Sequence, residues 1–262
     1  MTADKRGTPR WFLGVVLVLS LPFYALGITA TALPFAPALP ISALMACVPM
    51  VAALGLVAWQ SGAHAARALF AGAFHVHNIP NARWALVALA IMPLCFAVTS
   101  GVVWRSGAAT PSLQLLSASA IIPAFALFFL GAVGEEIGWQ GYAFPALADR
   151  HSALMSALII GVVWALWHVV PFALMGRSAA WIIWQGLGMV LMRIIIVWLF
   201  VNSGHSILIA VLFHMMSNSV WGMFPDFDPY YSPMVMFFVL LVPVIVILSF
   251  WGQSSLWRFR SR

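Results

Sequence analysis

Two adjacent carboxylates, Glu135 and Glu136, lie in an apolar part of a chain that has only 6 acidic residues. The residues before them, 125–134, form an uninterrupted apolar approach. A charged side chain at the middle of a bilayer costs about 2.5–3.5 kcal/mol on insertion scales, and adjacent carboxylates also repel each other. Unless the pair lies at the membrane–water boundary, where glutamates are tolerated, it predicts a functional site.

Three later polar residues also interrupt apolar runs. His168 follows the run 162–167, and His214 and Asn218 are four residues apart, so they share a helix face. A lone histidine in a span commonly joins two helices by a hydrogen bond. However, at a rise of 1.5 Å per residue, Glu135 and these three residues all lie roughly 15–27 Å from turns predicted on one membrane face. Four polar groups from three spans are therefore expected to converge at one level.

Such a cluster contains the groups needed to hydrolyse an amide. A carboxylate beside a histidine can deprotonate a water and then donate the proton to the leaving amine. A second histidine and an asparagine amide can stabilise the oxyanion of the tetrahedral intermediate. Alternatively, Glu135, His168 and His214 form a two-histidine, one-glutamate set that suits a catalytic divalent metal such as zinc, although the chain has no His-Glu-x-x-His stretch. Both mechanisms stay open at this point, and no metal is assigned.

The composition predicts the kind of fold that must hold these residues together. The chain is 64% hydrophobic and 7% charged, with a mean hydropathy of +1.03, whereas about a quarter of a soluble domain is charged. We therefore expect an all-α polytopic protein with the lipid bilayer as its solvent. The net charge of +6 does not indicate nucleic-acid binding, because basic residues flank the apolar runs, as is typical of the cytoplasmic ends of membrane spans. These flanking residues are Lys5, Arg6 and Arg10 before the first run and Arg258, Arg260 and Arg262 after the last.

Eight apolar runs are long enough to cross a membrane, which predicts a single membrane domain over 1–262. An even number of spans and the basic flanks predict a multi-pass plasma-membrane protein with both termini in the cytoplasm. The first run also resembles a signal peptide, but its length favours an uncleaved span. Between the second and third runs, His64, Arg67 and His75 recur at helical spacing, which predicts a short interfacial helix. The predicted spans are 11–33, 41–60, 83–104, 114–138, 153–175, 179–201, 205–224 and 233–252.

Three ordered motifs resemble the CPBP (or Abi) family of intramembrane proteases, the bacterial relatives of the CAAX prenyl endopeptidase. They are Gly-Glu-Glu-Ile-Gly-Trp-Gln-Gly-Tyr at 134–142, Trp-Ala-Leu-Trp-His at 164–168 and His-Met-Met-Ser-Asn at 214–218. The resemblance covers about 121–220 and implies an eight-helix fold that cleaves peptide bonds of membrane-associated proteins or peptides within or beside the bilayer.

The resemblance also implies roles for the four clustered residues. Glu135 and His168 would activate the attacking water, and His214 and Asn218 would support the oxyanion. The family is often labelled a metalloprotease, which keeps the zinc alternative open.

One position departs from the family pattern. The first motif usually reads Glu-Glu-x-x-x-Arg, whereas this chain has Gln140 at the arginine position. Glutamine can donate a hydrogen bond but cannot neutralise a carboxylate, so we expect Glu136 to be protonated or paired elsewhere. Arg193, an arginine deep in a predicted span, is the candidate partner.

Two other functions compete with an endopeptidase. The Gln140 departure is compatible with a non-catalytic family member that binds other membrane proteins, including in bacteriocin immunity. A proton-coupled transporter could use Glu135 and the histidines as proton sites. Transporters usually show paired halves with interrupted helices, and we find no such symmetry in the sequence.

Overall fold

Helices make up most of the regular structure. The computed structural model describes residues 9–29, 32–33, 36–76, 79–107, 118–222 and 231–257. The helices are α1 (Pro9–Ile28), α2 (Val48–Ser61), α3 (Ala63–Gly72), α4 (Arg83–Arg105), α5 (Ala118–Gly138), α6 (Phe144–Ala148), α7 (Ala153–Leu174), α8 (Ala179–Asn202), α9 (Ile207–Gly222) and α10 (Pro233–Trp251).

Seven of the described helical segments are long and apolar enough to cross a membrane, and an eighth apolar helix is shorter. The prediction of an all-α polytopic membrane protein is confirmed. The fourth span is longer than predicted, because α5, a π-helical turn (Trp139–Ala143) and α6 run on as one segment, Ile121–Ala148. The second combines a 3₁₀ helix (Ile41–Cys47) with α2.

Two predicted span boundaries were wrong. The first run does not stay helical to residue 33, because α1 ends at Ile28 and a two-stranded antiparallel hairpin, β1 (Ala32–Leu33) and β2 (Ala36–Pro40), follows. The prolines of this stretch lack backbone N–H groups and cannot continue a helix. Of the predicted span 205–224, the structure describes residues up to 222, and the apolar part of α9 there, Ile207–Val220, is shorter than a span. At 1.5 Å per residue it covers roughly 21 Å, less than the hydrocarbon core.

The short helix α9 lies inside the bundle, which explains why it need not span. It packs against α4, α5 and α8, and much of its surface is buried. Helix α8 in turn packs against α7 and α10 and is buried continuously from Leu191 to Asn202. The motif helices α5, α7 and α9 are therefore held by protein on several sides.

Close helix packing beside the two glutamates depends on a Gly-x-x-x-Gly pattern. A Cβ on Gly134 would lie 2.6 Å from the Ala46 carbonyl oxygen, and one on Gly138 would lie 2.5 Å from the carbonyl oxygen of Pro49. Small residues at this spacing let two helix backbones approach closely in membranes. The pattern seats α5 on the junction between the 3₁₀ helix and α2, and so fixes the segment that carries Glu135.

The π-helical turn follows this contact directly. Its widened hydrogen bond joins the Phe144 backbone N–H to the Trp139 carbonyl. In the sequence, Gly138, Gly141 and Pro145 predict a kink in this segment. The segment accommodates these residues by the π turn without breaking. Such turns are frequent at functional sites in helices.

A tight turn sets the start of α9. Gly204 adopts a left-handed conformation with φ of 75°, and the Asn202 amide bonds the Leu256 carbonyl at 2.7 Å, which ties the turn to the C-terminal segment. His205 follows with φ of 59°, and burial lowers its pKa below the ordinary value. The turn therefore carries a neutral imidazole at pH 7.

The short helix predicted between the second and third spans is present as α3. No side chain of α3 is fully buried, as expected of a helix at an interface. His64 and Arg67 lie on it, but His75 does not, because the helix closes in turn hydrogen bonds at Ala73 and Phe74.

Candidate active site

Glu135 is buried near the end of α5, with 5% of its surface exposed. Its carboxylate oxygen Oε2 accepts a hydrogen bond from the Trp164 indole N–H at 2.6 Å and another from Trp139 at 3.3 Å. Both indoles donate to the same oxygen. The other oxygen, Oε1, lies 3.9 Å from Nε2 of His214.

Glu136 faces a different set of partners and is completely buried. Its Oε2 accepts a hydrogen bond from the Arg193 guanidinium at 2.7 Å, and its Oε1 lies 2.8 Å from Nδ1 of His214. A buried carboxylate requires a cationic partner and hydrogen bonds, and Glu136 has both. Arg193, the candidate partner of Glu136 in the sequence, is thus hydrogen-bonded to it.

The contact with Glu136 defines the hydrogen positions on His214. A carboxylate paired with an arginine is ionised and can only accept, so Nδ1 of His214 must donate. In the neutral ring, Nε2 then carries a lone pair, and in the protonated ring it becomes a donor. In both states Nε2 is the ring nitrogen nearer to Glu135, 3.9 Å from its Oε1.

His168 is oriented by its own helix. Its Nδ1 lies 2.9 Å from the Trp164 carbonyl oxygen, one turn earlier in α7. Because a carbonyl only accepts, Nδ1 carries the proton and Nε2 is the basic nitrogen of the neutral ring. The ring packs edge-on against Trp164 and Trp167, with centroid distances of 5.5 Å and 4.9 Å.

Helix α1 also supports this part of α7. Pro171 has no backbone N–H, so the Trp167 carbonyl lacks the usual helical donor. The Tyr24 hydroxyl of α1 donates to that carbonyl at 2.7 Å, and the Trp167 indole donates to Ser20 of α1 at 2.7 Å. Pro171, one helical turn after His168, is therefore tolerated because the neighbouring helix α1 satisfies the freed Trp167 carbonyl.

A cavity of about 100 Å³ opens beside these residues. His168, His214 and Asn218 line it together, so the three polar residues of the second and third motifs share one space. Its apolar wall includes the flexible, polarisable side chains of Met92, Met189, Met192 and Met236. Its other polar residues include Gln185, Ser217 and Tyr231, and the Tyr231 hydroxyl donates to Gln185 at 2.6 Å.

Gln140, at the family's arginine position, is also fully buried. Neither heteroatom of its amide has a hydrogen-bond partner within the described part of the chain. Arg193 therefore supplies the cation next to Glu136, and its guanidinium carbon also lies 4.5 Å above the Trp164 ring. The charge comes from α8 instead of from the helix that carries the glutamates.

The residues present do not fit a metal centre. Across the described ranges, no three His, Cys, Asp or Glu side chains are arranged so that they could hold a metal ion. Glu135, His168 and His214, the set predicted as a zinc alternative, lie within these ranges and do not form such a group.

Two indoles were not anticipated as site residues. Trp164 contacts Glu135 and both histidine rings, and Trp139 bonds the same carboxylate oxygen as Trp164. Both lie within the motif segments, but 13 tryptophans occur in the chain and no spacing rule marks these two. Only the buried position of the indole N–H beside Glu135 identifies them.

The part of the chain that carries the three motifs is similar to known proteins. Residues 117–220 match the family described as type II CAAX prenyl endopeptidase Rce1-like. A relative from Methanococcus maripaludis, named CAAX prenyl protease 2, is 36% identical over 106 residues, which cover 37% of this chain and 39% of the relative. The chain thus spans about two fifths of the length of the curated relative that it matches.

Proposed function

We propose that this multi-pass membrane protein is an endopeptidase of membrane-associated substrates, because residues 117–220 match the Rce1-like family of type II CAAX prenyl endopeptidases. The observation that supports this most directly is the burial of Glu135 with Oε1 at 3.9 Å from His214 Nε2, next to a cavity lined by His168, His214 and Asn218. His168, His214 and Asn218 thereby share one cavity, and the proposed base Glu135 lies beside one of its lining residues, His214.

In the proposed reaction, Glu135 takes a proton from water as the water oxygen attacks the carbonyl carbon of the peptide bond. The basic Nε2 of His168 orients this water by accepting its second hydrogen. The carbonyl oxygen becomes an oxyanion. When the C–N bond breaks, protonated Glu135 transfers its proton to the amine nitrogen, which leaves as a neutral amine.

His214 and Asn218 stabilise the oxyanion. In this proposed role His214 carries a proton on each ring nitrogen, so that Nδ1 donates to the Glu136 carboxylate at 2.8 Å and Nε2 donates to the oxyanion. The Asn218 amide supplies a second donor from one turn further along α9. Donors that are already positioned stabilise such a charge strongly, because little reorganisation is needed.

The substrate and the orientation form part of the same proposal. The methionine-lined cavity fits an apolar segment of a membrane peptide or protein. The relative's name, CAAX prenyl protease, makes prenylated C-terminal peptides one class to test. We place the protein in the plasma membrane as one domain with both termini cytoplasmic, from the basic residues that flank its apolar runs.

Cleavage of a peptide set by the purified protein tests the function. The set contains membrane-spanning peptides and prenylated and unprenylated C-terminal peptides, and products are identified by mass spectrometry. Glu135→Gln is the matched variant, because the amide oxygen can still accept the indole hydrogen bonds but cannot take a proton. We expect the wild type to cleave at least one peptide and Glu135→Gln to lose about 10²–10⁴-fold in rate.

Each arm of this experiment has a defined outcome. Equal cleavage by both proteins would refute Glu135 as the base, and no cleavage by either would favour the non-catalytic binding function. Activity should persist after treatment with a chelator. If chelation abolishes cleavage and zinc restores it, the metal-free mechanism is wrong.

A further inference from the structure

Trp164 contacts more of the proposed catalytic groups than any other residue discussed above. Its indole N–H donates to Glu135 Oε2 at 2.6 Å, and its ring packs edge-on against His168 and His214 at centroid distances of 5.5 Å and 5.2 Å. The side chain is 3% exposed, so these contacts are made away from solvent. It is therefore positioned to affect catalysis without itself reacting.

The indole bonds divide the two oxygens of Glu135 into different environments. An indole N–H can only donate, and Trp164 and Trp139 both donate to Oε2. Rotation of the carboxylate would break both bonds in a buried site, which is unfavourable because unmade buried hydrogen bonds are costly. Oε1 is consequently held on the side of His214 as the oxygen that accepts the proton from water.

The Trp164 ring also joins the two glutamates. Arg193 lies over the ring, with its guanidinium carbon 4.5 Å from the centroid, while its Nη1 bonds Glu136 at 2.7 Å. A cation over the indole face is attracted to the ring and draws electron density from it, which strengthens the N–H as a donor. These contacts connect Glu136 to Glu135 through Arg193 and Trp164.

From these contacts we infer that Trp164 is a positioning residue for Glu135. Its N–H fixes Oε2 so that Oε1 faces the reacting water, and its ring ties Glu135 to the Glu136–Arg193 ion pair. The inference rests on the proposed function, since Glu135 must be the base for its orientation to matter. Phenylalanine at this position would fill much of the same space but could not hold the carboxylate.

The test compares two buried tryptophans. Trp164→Phe removes the hydrogen bond to Glu135, whereas Trp198→Phe makes the same change in α8 at a ring that packs against Trp84 and Trp251, away from the proposed site. We expect Trp164→Phe to lower kcat about 10- to 100-fold, because small misplacement of a catalytic group has effects of this size. KM should stay within about twofold, and Trp198→Phe should keep kcat within about threefold of the wild type.

A second substitution separates the loss of the N–H group from any loss of folding. Benzothienylalanine at position 164 keeps the bicyclic ring but has sulfur in place of the N–H, and it should lower kcat as Trp164→Phe does. If wild type and Glu135→Gln cleave equally, the proposed function itself fails. If Glu135→Gln is inactive but the benzothienylalanine protein has wild-type kcat, the function stands and the positioning role of Trp164 is overturned.

Discussion

The Arg193 guanidinium lies 2.7 Å from Oε2 of Glu136, and both side chains are completely inaccessible to solvent. Removing water from two charges is costly, and only close pairing and hydrogen bonds compensate for it. The pair is also part of the proposed active site, because Glu136 bonds His214 through its other oxygen. Its integrity should therefore influence both stability and catalysis.

The first prediction concerns the coupling between these two residues. Arg193→Gln leaves the Glu136 charge buried without a cation, so we expect a loss of about 3–5 kcal/mol of stability. Adding Glu136→Gln to Arg193→Gln should recover a large part of this loss, because no unpaired charge remains. Thermal unfolding in detergent is measured for Arg193→Gln, for Glu136→Gln and for the double variant.

Arg150→Gln, an exposed change in the turn before α7, serves as the control and should shift stability by less than about 0.5 kcal/mol. Additive effects of the Arg193 and Glu136 changes would contradict a coupled pair.

The second prediction concerns moving the positive charge from Arg193 to position 140, where the family usually has an arginine. Gln140→Arg alone should destabilise the protein, because it adds a second buried cation beside Glu136, which is already paired with Arg193. Gln140→Arg combined with Arg193→Gln should restore peptidase activity to within about tenfold of the wild type, because position 140 is four residues after Glu136 on the same helical segment. Peptide cleavage and thermal unfolding are measured together.

Gln140→Met is the matched control for this substitution. The Gln140 amide has no hydrogen-bond partner within the described residues, so an apolar side chain of similar size should be neutral or stabilising. If the exchanged pair is no more active than Arg193→Gln alone, the cation cannot be supplied from position 140.

Hydrophobic runs predicted most of the helices, because lipid requires long apolar segments whatever the tertiary packing. The sequence did not predict the shortness of α9. An apolar helix buried among protein neighbours has the same composition as one facing lipid. The π turn at Trp139–Ala143 was expected only as a kink, since the sequence indicates a weak point in a helix but not how the backbone accommodates it.

The candidate site was predictable where residues were chemically out of place. Glu135, His168 and His214 stood out as polar groups in apolar runs, and Arg193 stood out as an arginine deep in a predicted span. Trp164 gave no such signal, because tryptophan suits an apolar helix and its N–H matters only once the packing directs it at Glu135. Side-chain direction across helices is a tertiary property that spacing alone does not determine.

The third prediction concerns the oxyanion donors. Asn218→Ala should lower kcat about 10²–10³-fold with little change in KM, because its amide is proposed to bind the substrate oxygen only after charge develops. Ser217→Ala is the neighbouring control, since the Ser217 hydroxyl also lies at the cavity but bonds the His214 backbone carbonyl at 2.7 Å. It should keep kcat within about threefold of the wild type. Equal losses in both variants would indicate that the cavity wall, and not the amide, is what matters.

The fourth prediction tests the glycine contact that seats α5 beside α2. A Cβ added at Gly138 would lie 2.5 Å from both the Cβ and the carbonyl oxygen of Pro49, and backbone cannot move aside as a flexible side chain would. Gly138→Ala should therefore destabilise the protein by about 1–3 kcal/mol, the usual range for overpacking, and displace the turn that carries Glu135. Thermal unfolding in detergent and the rate of peptide cleavage should fall together.

Gly55→Ala is the control for this change, because Gly55 lies in α2 itself and an added Cβ would meet nothing within 4 Å. Alanine is favoured over glycine by roughly 0.5–1 kcal/mol in a helix interior, so Gly55→Ala should leave stability unchanged or raise it. The two substitutions add the same methyl group to the two helices of one contact. A Gly138→Ala protein as stable and active as Gly55→Ala would show that close approach of α5 and α2 is not required to position Glu135.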